Sequence, residues 1–184
     1  MEPTEFTEAA SRLCSACGLC CNGVMFHTVK MQFSDSPKEL TALGLKLKRK
    51  QGAHYLLQPC PAFCGTHCSI YDSRPERCRV FECQQLMRLA AGGTTEAVAL
   101  ERIREVQRRV GELEGLLQKS GKTDSKRALS KRYEKVTAEP LTALSDPETV
   151  ALRERLTRVM RELELMLDRE FRMRPPCVPT GEER

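Results

Sequence analysis

The sequence predicts an α+β chain that is mainly helical: a small head of short strands and helices tied by cysteine and metal, then a C-terminal antiparallel helical hairpin. Three observations carry this. Nine of the ten cysteines lie between Cys14 and Cys83. The same stretch is punctuated by turn residues and rich in short β-forming runs. Beyond residue 90, two long segments repeat apolar residues at spacings of three and four, the mark of amphipathic helices. The expected division is 1–90 as a cysteine-cluster metal-binding unit, 91–174 as a helical hairpin region and 175–184 as a disordered tail.

Taken in order, "NGVMFHTVKMQF" (22–33) opens on a turn dipeptide and continues in β-formers, which predicts a strand. In "SPKELTALG" (36–44), Ser36 suits the N-cap, Pro37 the first helical position and Gly44 the stop, so a short helix is expected. "LKLKRK", "QGA" and "HYLLQ" read as a hairpin, with Leu45 and Leu47 on one face and Lys46 and Lys48 on the other. A further helix is expected from Pro75, and "AAGGTT" (90–95) is the joint.

The first long helix has its seam at Ile103, Val106, Val110, Leu113 and Leu117, and the second at Leu152, Leu156, Val159, Leu163 and Met166. Asp146 can cap the second, Pro147 suits its first turn, and Ser145 with Glu148 has capping-box spacing. A shorter helix is expected over 124–136. The two long helices should fold back on each other. Their seam serves the head or the partner helix, with self-association or a protein partner as the alternative.

Composition excludes several classes. No apolar run approaches 18 residues, so no membrane span is expected. "MEPTEFTEAA" has neither a basic nor an apolar leader region, so no signal peptide is expected and the cytoplasm is the default location. The net charge of +5 is modest and mixed along the chain, which does not indicate nucleic-acid binding. "KLKRK" at 46–50 reads as an edge strand guarded by lysines. "GKT" at 121–123 is not a phosphate loop, since Leu116 stands where that motif needs glycine. No catalytic constellation stands out, so an enzyme is not the expected reading.

Thiols in a reducing compartment do not pair as disulfides, so metal or cluster ligation is the leading explanation for the cysteines. Cys14-x2-Cys17 directs two sulfurs from one backbone turn to one metal, and Cys17-x2-Cys20 repeats the spacer with Gly18 allowing tight curvature. C-x2-C-x2-C also opens the bacterial ferredoxin-type motif, whose fourth cysteine precedes proline; the nearest such pair here is Cys60-Pro61. Adjacent Cys20 and Cys21 point apart. Either they serve two centres, the favoured reading, or one ligates and the other packs. In "PCPAFCGTHCSIYDSRPERCRVFEC" (59–83), Cys78 falls in a helical first turn, where the dipole favours thiolate. Phe81 would share the Cys78 face, and Cys83 lies well round that helix and should serve a different centre or none. Cys14, Cys17 and Cys20 are expected to form one arm completed by Cys60, Cys68 and Cys78.

These residues, "CSACGLCC", then "PC", then "CSIYDSRPERCRVFEC", resemble the YkgJ-like cysteine-cluster family, a CxxCxxCC-type zinc- or iron-chelating domain. The resemblance covers roughly residues 10–90. It implies Cys14, Cys17, Cys20, Cys21, Cys60, Cys68 and Cys78 as metal ligands, with Tyr71, Arg74, Pro75, Arg79 and Phe81 around them. Cys64 and Cys83 fall outside the minimal pattern and are secondary candidates. Stoichiometry stays open. One four-cysteine site could stand beside a three-cysteine site completed by His67, His27, a carboxylate or water; two four-cysteine sites or bridging thiolates are the other arrangements. His67 reads more simply as a loop residue, His27 and His54 as strand residues, and Cys177 as an unengaged tail thiol.

Three functions follow. The first is a metal-binding protein holding one or two structural Zn2+ ions. The second is an iron–sulfur protein acting as an electron carrier or enzyme accessory. The third is a thiol redox or metal-handling protein.

Overall fold

The structure is a computed structural model describing residues 3–65, 67–121, 124–142 and 145–173. The tail, with Cys177, and residues 122–123 of "GKT" lie outside the described residues. The fold is α+β and mainly helical. Helix α1 (Pro3–Cys17) leads into β1 (Thr28–Lys30), α2 (Pro37–Ala42), and the strands β2 (Leu47–Lys50) and β3 (Ala53–Leu57). A 3-10 turn (Tyr71–Ser73) and α3 (Glu76–Val80) follow, then α4 (Gln84–Ala90), α5 (Glu96–Lys119), α6 (Leu129–Thr137) and α7 (Pro147–Glu170). No helix among the described residues is long and apolar enough to cross a membrane.

Helix α1 has no counterpart among the sequence expectations, although its face is legible: Phe6, Ala9, Ala10, Leu13 and Cys17 recur at helical spacing and pack into the large core. Arg12 grips Glu96 on α5 with two bonds of 2.8 and 2.9 Å.

The strand expected over 22–33 shrinks to Thr28–Lys30. Asn22 accepts from the Val24 N–H at 3.1 Å, and Met25 N–H donates to Leu19 O at 3.0 Å. The turn drops Val24 and Met25 into the helical core, at 7% and 5% exposed. Tertiary packing thus overrides β-propensity here.

The sheet has order β1-β3-β2, antiparallel throughout. Gln51 (φ 49) and Gly52 (φ 78) make the two-residue hairpin turn, whose positive φ at both positions is the primed type that matches strand twist. Ser36 caps α2 as expected, accepting from Glu39 N–H at 3.3 Å.

The long helices α5 and α7 pack antiparallel, with Arg109–Glu162 (3.1 Å) and Glu112–Arg155 (2.9 Å) ladders between them. All five expected seam residues of α5 are buried. On α7 the seam drifts from Met166 to Leu167, which is fully buried, because 3.6 residues per turn do not hold a strict heptad. Asp146 caps α7, accepting from Thr149 N–H at 2.8 Å. Ser145 does not join a capping box; its hydroxyl accepts from Thr142 N–H at 3.0 Å. Helix α6 begins at Leu129 rather than 124, since Asp124 holds a turn through Lys126 N–H.

Two cores result. The large one joins α1, the 19–26 turn and α4 to the three later helices, and the small one lies under the sheet around Met31, Leu40, Leu45, Leu56 and Ala62.

Candidate metal centres

The cysteines divide between the two cores. Cys17, Cys20 and Cys83 pack against the large core, and Cys60, Cys68 and Cys78 against the small one. Cys14 and Cys21 complete the sets by neighbourhood. Cys14 neighbours Cys83, whereas Cys21 neighbours Cys60, Cys78 and Cys68 first and Cys14 after them.

The first set is built on helix ends. Cys14 and Cys17 stand three apart on the last turn of α1. Gly18 ends that helix at φ 64, its N–H donating to Cys14 O at 3.1 Å, a left-handed cap suited to glycine. Cys20 follows, its sulfur 4.0 Å from the Met25 sulfur. The last carbonyls of α1 are not left open: Gln107 of α5 donates to Ala16 O (2.7 Å) and Cys17 O (3.3 Å).

Cys83 arrives from the other side, as the N-cap residue of α4. That helix is fastened to the end of α7. Gln84 N–H donates to Phe171 O at 3.0 Å, and Arg88 pairs with buried Glu170 at 2.7 Å. Gln85 donates to Glu170 O at 2.9 Å. The long helices therefore hold both halves of this set in register.

The second set is held by loops around the sheet. Cys60 N–H donates to Cys21 O at 2.8 Å. Phe63 and Cys68 form an isolated bridge, and Ser69 N–H donates to Ala62 O at 2.9 Å, folding Cys68 back beside Cys60. Cys78 sits in the first turn of α3, whose Glu76 N–H is capped from outside by Asp35 at 2.8 Å.

Burial raises six of these thiols, and thiol neighbours add to it. Cys14 and Cys78 are pushed up to about 11, and Cys17 and Cys21 to about 12. Cys20 rises well above its ordinary value, and Cys60 also rises. Arg74 is the cation opposing this in both sets, favouring thiolate at Cys14 and Cys78. It stacks 3.5 Å over the Tyr71 ring and donates to Tyr71 O at 2.7 Å. Clustered thiols that repel as thiolates fit a cation that neutralises them. Among the described residues no group of three or more His, Cys, Asp or Glu side chains stands in ligating geometry. An ion would have to draw each set inward.

Several expectations are redrawn by this arrangement. The arm Cys14–Cys17–Cys20 meets Cys83 rather than Cys60, Cys68 and Cys78, which gather around Cys21 instead. Helix α3 stops at Val80 and Phe81 is extended at ψ 122, so Cys83 is not on the Cys78 helix at all. Phe81 packs edge-on against Phe26 at 5.3 Å in the large core, whereas Cys78 packs against the small one. Cys64 is exposed on the 60–68 loop, its sulfur 3.8 Å from Ala62 O. Arg79 and His67 are exposed, as is His27 just before β1, while His54 lies on β3 opposite Arg49. The sequence signal for Cys83 was the residue itself, a secondary candidate there.

Residues 13–105 match the CxxCxxCC family, described as "Putative zinc- or iron-chelating domain". No curated protein and no solved structure matches the chain. The matched segment contains all nine described cysteines and runs into the first half of α5. The chain belongs to the CxxCxxCC family of zinc- or iron-chelating domains.

Proposed function

We propose that this protein carries two four-thiolate centres, each holding a structural Zn2+: Cys14, Cys17, Cys20 and Cys83 in one, Cys21, Cys60, Cys68 and Cys78 in the other. The observation that carries this is that three cysteines pack against each core, with Cys14 beside Cys83 and Cys21 beside Cys60, Cys78 and Cys68. Four thiolates close a tetrahedral zinc site and leave no open position for water or substrate, which is the pattern of a structural ion. Such an ion supplies roughly 10–16 kcal/mol of apparent binding energy. The first centre would fasten α1 to α4, and the second would fasten the turn at Cys21 to the loops around the sheet. All nine described cysteines are free thiols, which suits the reducing cytoplasm.

One observation favours a second reading. Cys14, Cys17 and Cys20 at two-residue spacers, with one remote partner in Cys83, also suit an iron–sulfur cluster and an electron-carrying role.

Anaerobic purification followed by metal and sulfide analysis and a visible spectrum separates the two. The zinc reading expects a colourless protein with about two Zn2+ per chain and no sulfide, losing circular dichroism on chelation. A brown protein with iron, sulfide and absorption near ~400 nm would establish the cluster instead. A metal-free protein indifferent to chelator would overturn both.

A further inference from the structure

The net charge of the whole chain resides in one segment. Residues 28–80 hold nine Lys and Arg against four Asp and Glu, an excess equal to the chain's +5, and the remaining residues cancel. Much of this excess stands on the open face of the sheet. Val29, Leu47 and Leu56 turn inward onto the small core, and the alternate residues Lys30, Lys46, Lys48 and Lys50 are exposed. The register sets Lys30 and Lys48 on either side of Tyr55. Among the described residues none of these four ammonium groups has an ion-pair partner.

Strand β2 is also an edge. Lys50 and Ala53 flank the two-residue turn, and Leu57 N–H donates to Lys46 O at 2.8 Å. The backbone groups of Lys46, Lys48 and Lys50 therefore face β3, and those of Leu47 and Arg49 point outward. Among the described residues no other segment bonds to that outer side. A lysine row deters strand pairing at a bare edge, but the deterrent acts through charge and is selective. Neutral and basic strands are turned away. A strand with carboxylates at alternate positions gains from every cross-strand pair. Lys46, Lys48 and Lys50 recur about every 6.8 Å, the step of alternate residues in an added strand.

We propose that β2 is a docking edge for an extended acidic segment of a partner protein. The segment adds as a fourth strand, bonds to the Leu47 and Arg49 backbone, and sets alternate carboxylates against Lys46, Lys48 and Lys50. A nucleic acid would use the same charges but not those backbone groups. The inference is independent of which metal the cysteines hold.

The test is fluorescence anisotropy of the full chain with a labelled nine-residue peptide of alternating Glu and Val, at low salt. Saturable binding is expected, weakened about tenfold by the triple variant Lys46→Gln, Lys48→Gln, Lys50→Gln with unchanged circular dichroism. Two further peptides, N-methylated on either the Glu or the Val amides, keep every charge and are titrated against the unmodified chain. One of them should lose binding and the other keep it, because only one set of amides faces β2. Equal binding by both methylated peptides, or equally tight binding of an oligothymidylate of matched charge, overturns strand addition.

Discussion

Replacing Gly18 with alanine should destabilise the protein by about 3 kcal/mol through two separable causes. Gly18 has φ 64, a left-handed conformation that costs an ordinary residue about 1–2 kcal/mol. A Cβ there would also lie 2.3 Å from Phe63 Cζ and 3.1 and 3.2 Å from the two adjoining ring carbons. The atoms met are the far end of the Phe63 ring, whose backbone is bridged to Cys68, so the ring must swing aside and overpacking adds towards the lower end of about 1–3 kcal/mol. The position matters because Gly18 lies between Cys17 of one set and Cys20 and Cys21, where the chain crosses to the other.

Urea denaturation of the reduced, metal-loaded protein measures the total, with metal content followed alongside. The parts are separated by a cycle with Phe63→Leu. In that background Gly18→Ala should cost only about 1–2 kcal/mol, leaving a coupling of about 1–2 kcal/mol. A cost below about 0.5 kcal/mol, or the same cost in both backgrounds, would refute the contact between this turn and the second cysteine loop.

Cys83→Ser and Cys78→Ser should each lower metal content by one centre, whereas Cys64→Ser should leave it unchanged; equal loss in all three defeats the sorting into fours. In metal-free, reduced protein, burial pushes the half-buried thiols of Cys17, Cys21 and Cys78 up to about 11–12 from the 9.0 of an ordinary thiol. Their neutral burial therefore stabilises fully below about pH 9 and is lost as pH rises through about 11–12, so melting temperature should fall across that window; a flat profile counts against their burial. Burial alone would raise Glu170, but the bonds from Arg88 and Arg169 hold it below the usual carboxylate range. Glu170→Gln should cost about 1–2 kcal/mol in urea. The wild type should lose that same contribution as pH falls through the carboxylate range, and an acid limb identical in variant and wild type would contradict this.

What could be read from the sequence was whatever depends on near neighbours. Ser36, Pro37, Asp146, Pro147 and the hairpin turn act within one or two turns of chain, and each took its expected place. The α5 seam was legible because a stripe must be buried somewhere, whichever helix meets it. The partition of the cysteines was not, since it depends on two long-range fastenings and on where α3 stops. The α1 end is held by Gln107, some ninety residues on. Arg74-Pro75 and the extended Phe81 confine α3 to five residues, which frees Cys83 from the Cys78 axis. Glu170 and Phe171 then fasten α4 so that Cys83 turns towards Cys14. Spacing limits which thiols one turn can offer to one ion, but it does not say which distant turn will face it.

The adjacency of Cys20 and Cys21 constrains what the distant turns can do. One peptide step joins the two sets, so the sets must stay neighbours however the loops close. With a Cα step of ~3.8 Å and metal–sulfur bonds of ~2.3 Å, two ions held by these residues would lie within roughly 14 Å of each other. That bound holds for zinc or for a cluster, and it makes each centre's electrostatics part of the other's environment. Loss of Cys83 alone should therefore shift the affinity of the intact second centre, not merely empty the first. Competition with a chromophoric chelator reads that affinity, and an unchanged value in Cys83→Ser would mean that the two centres are held independently.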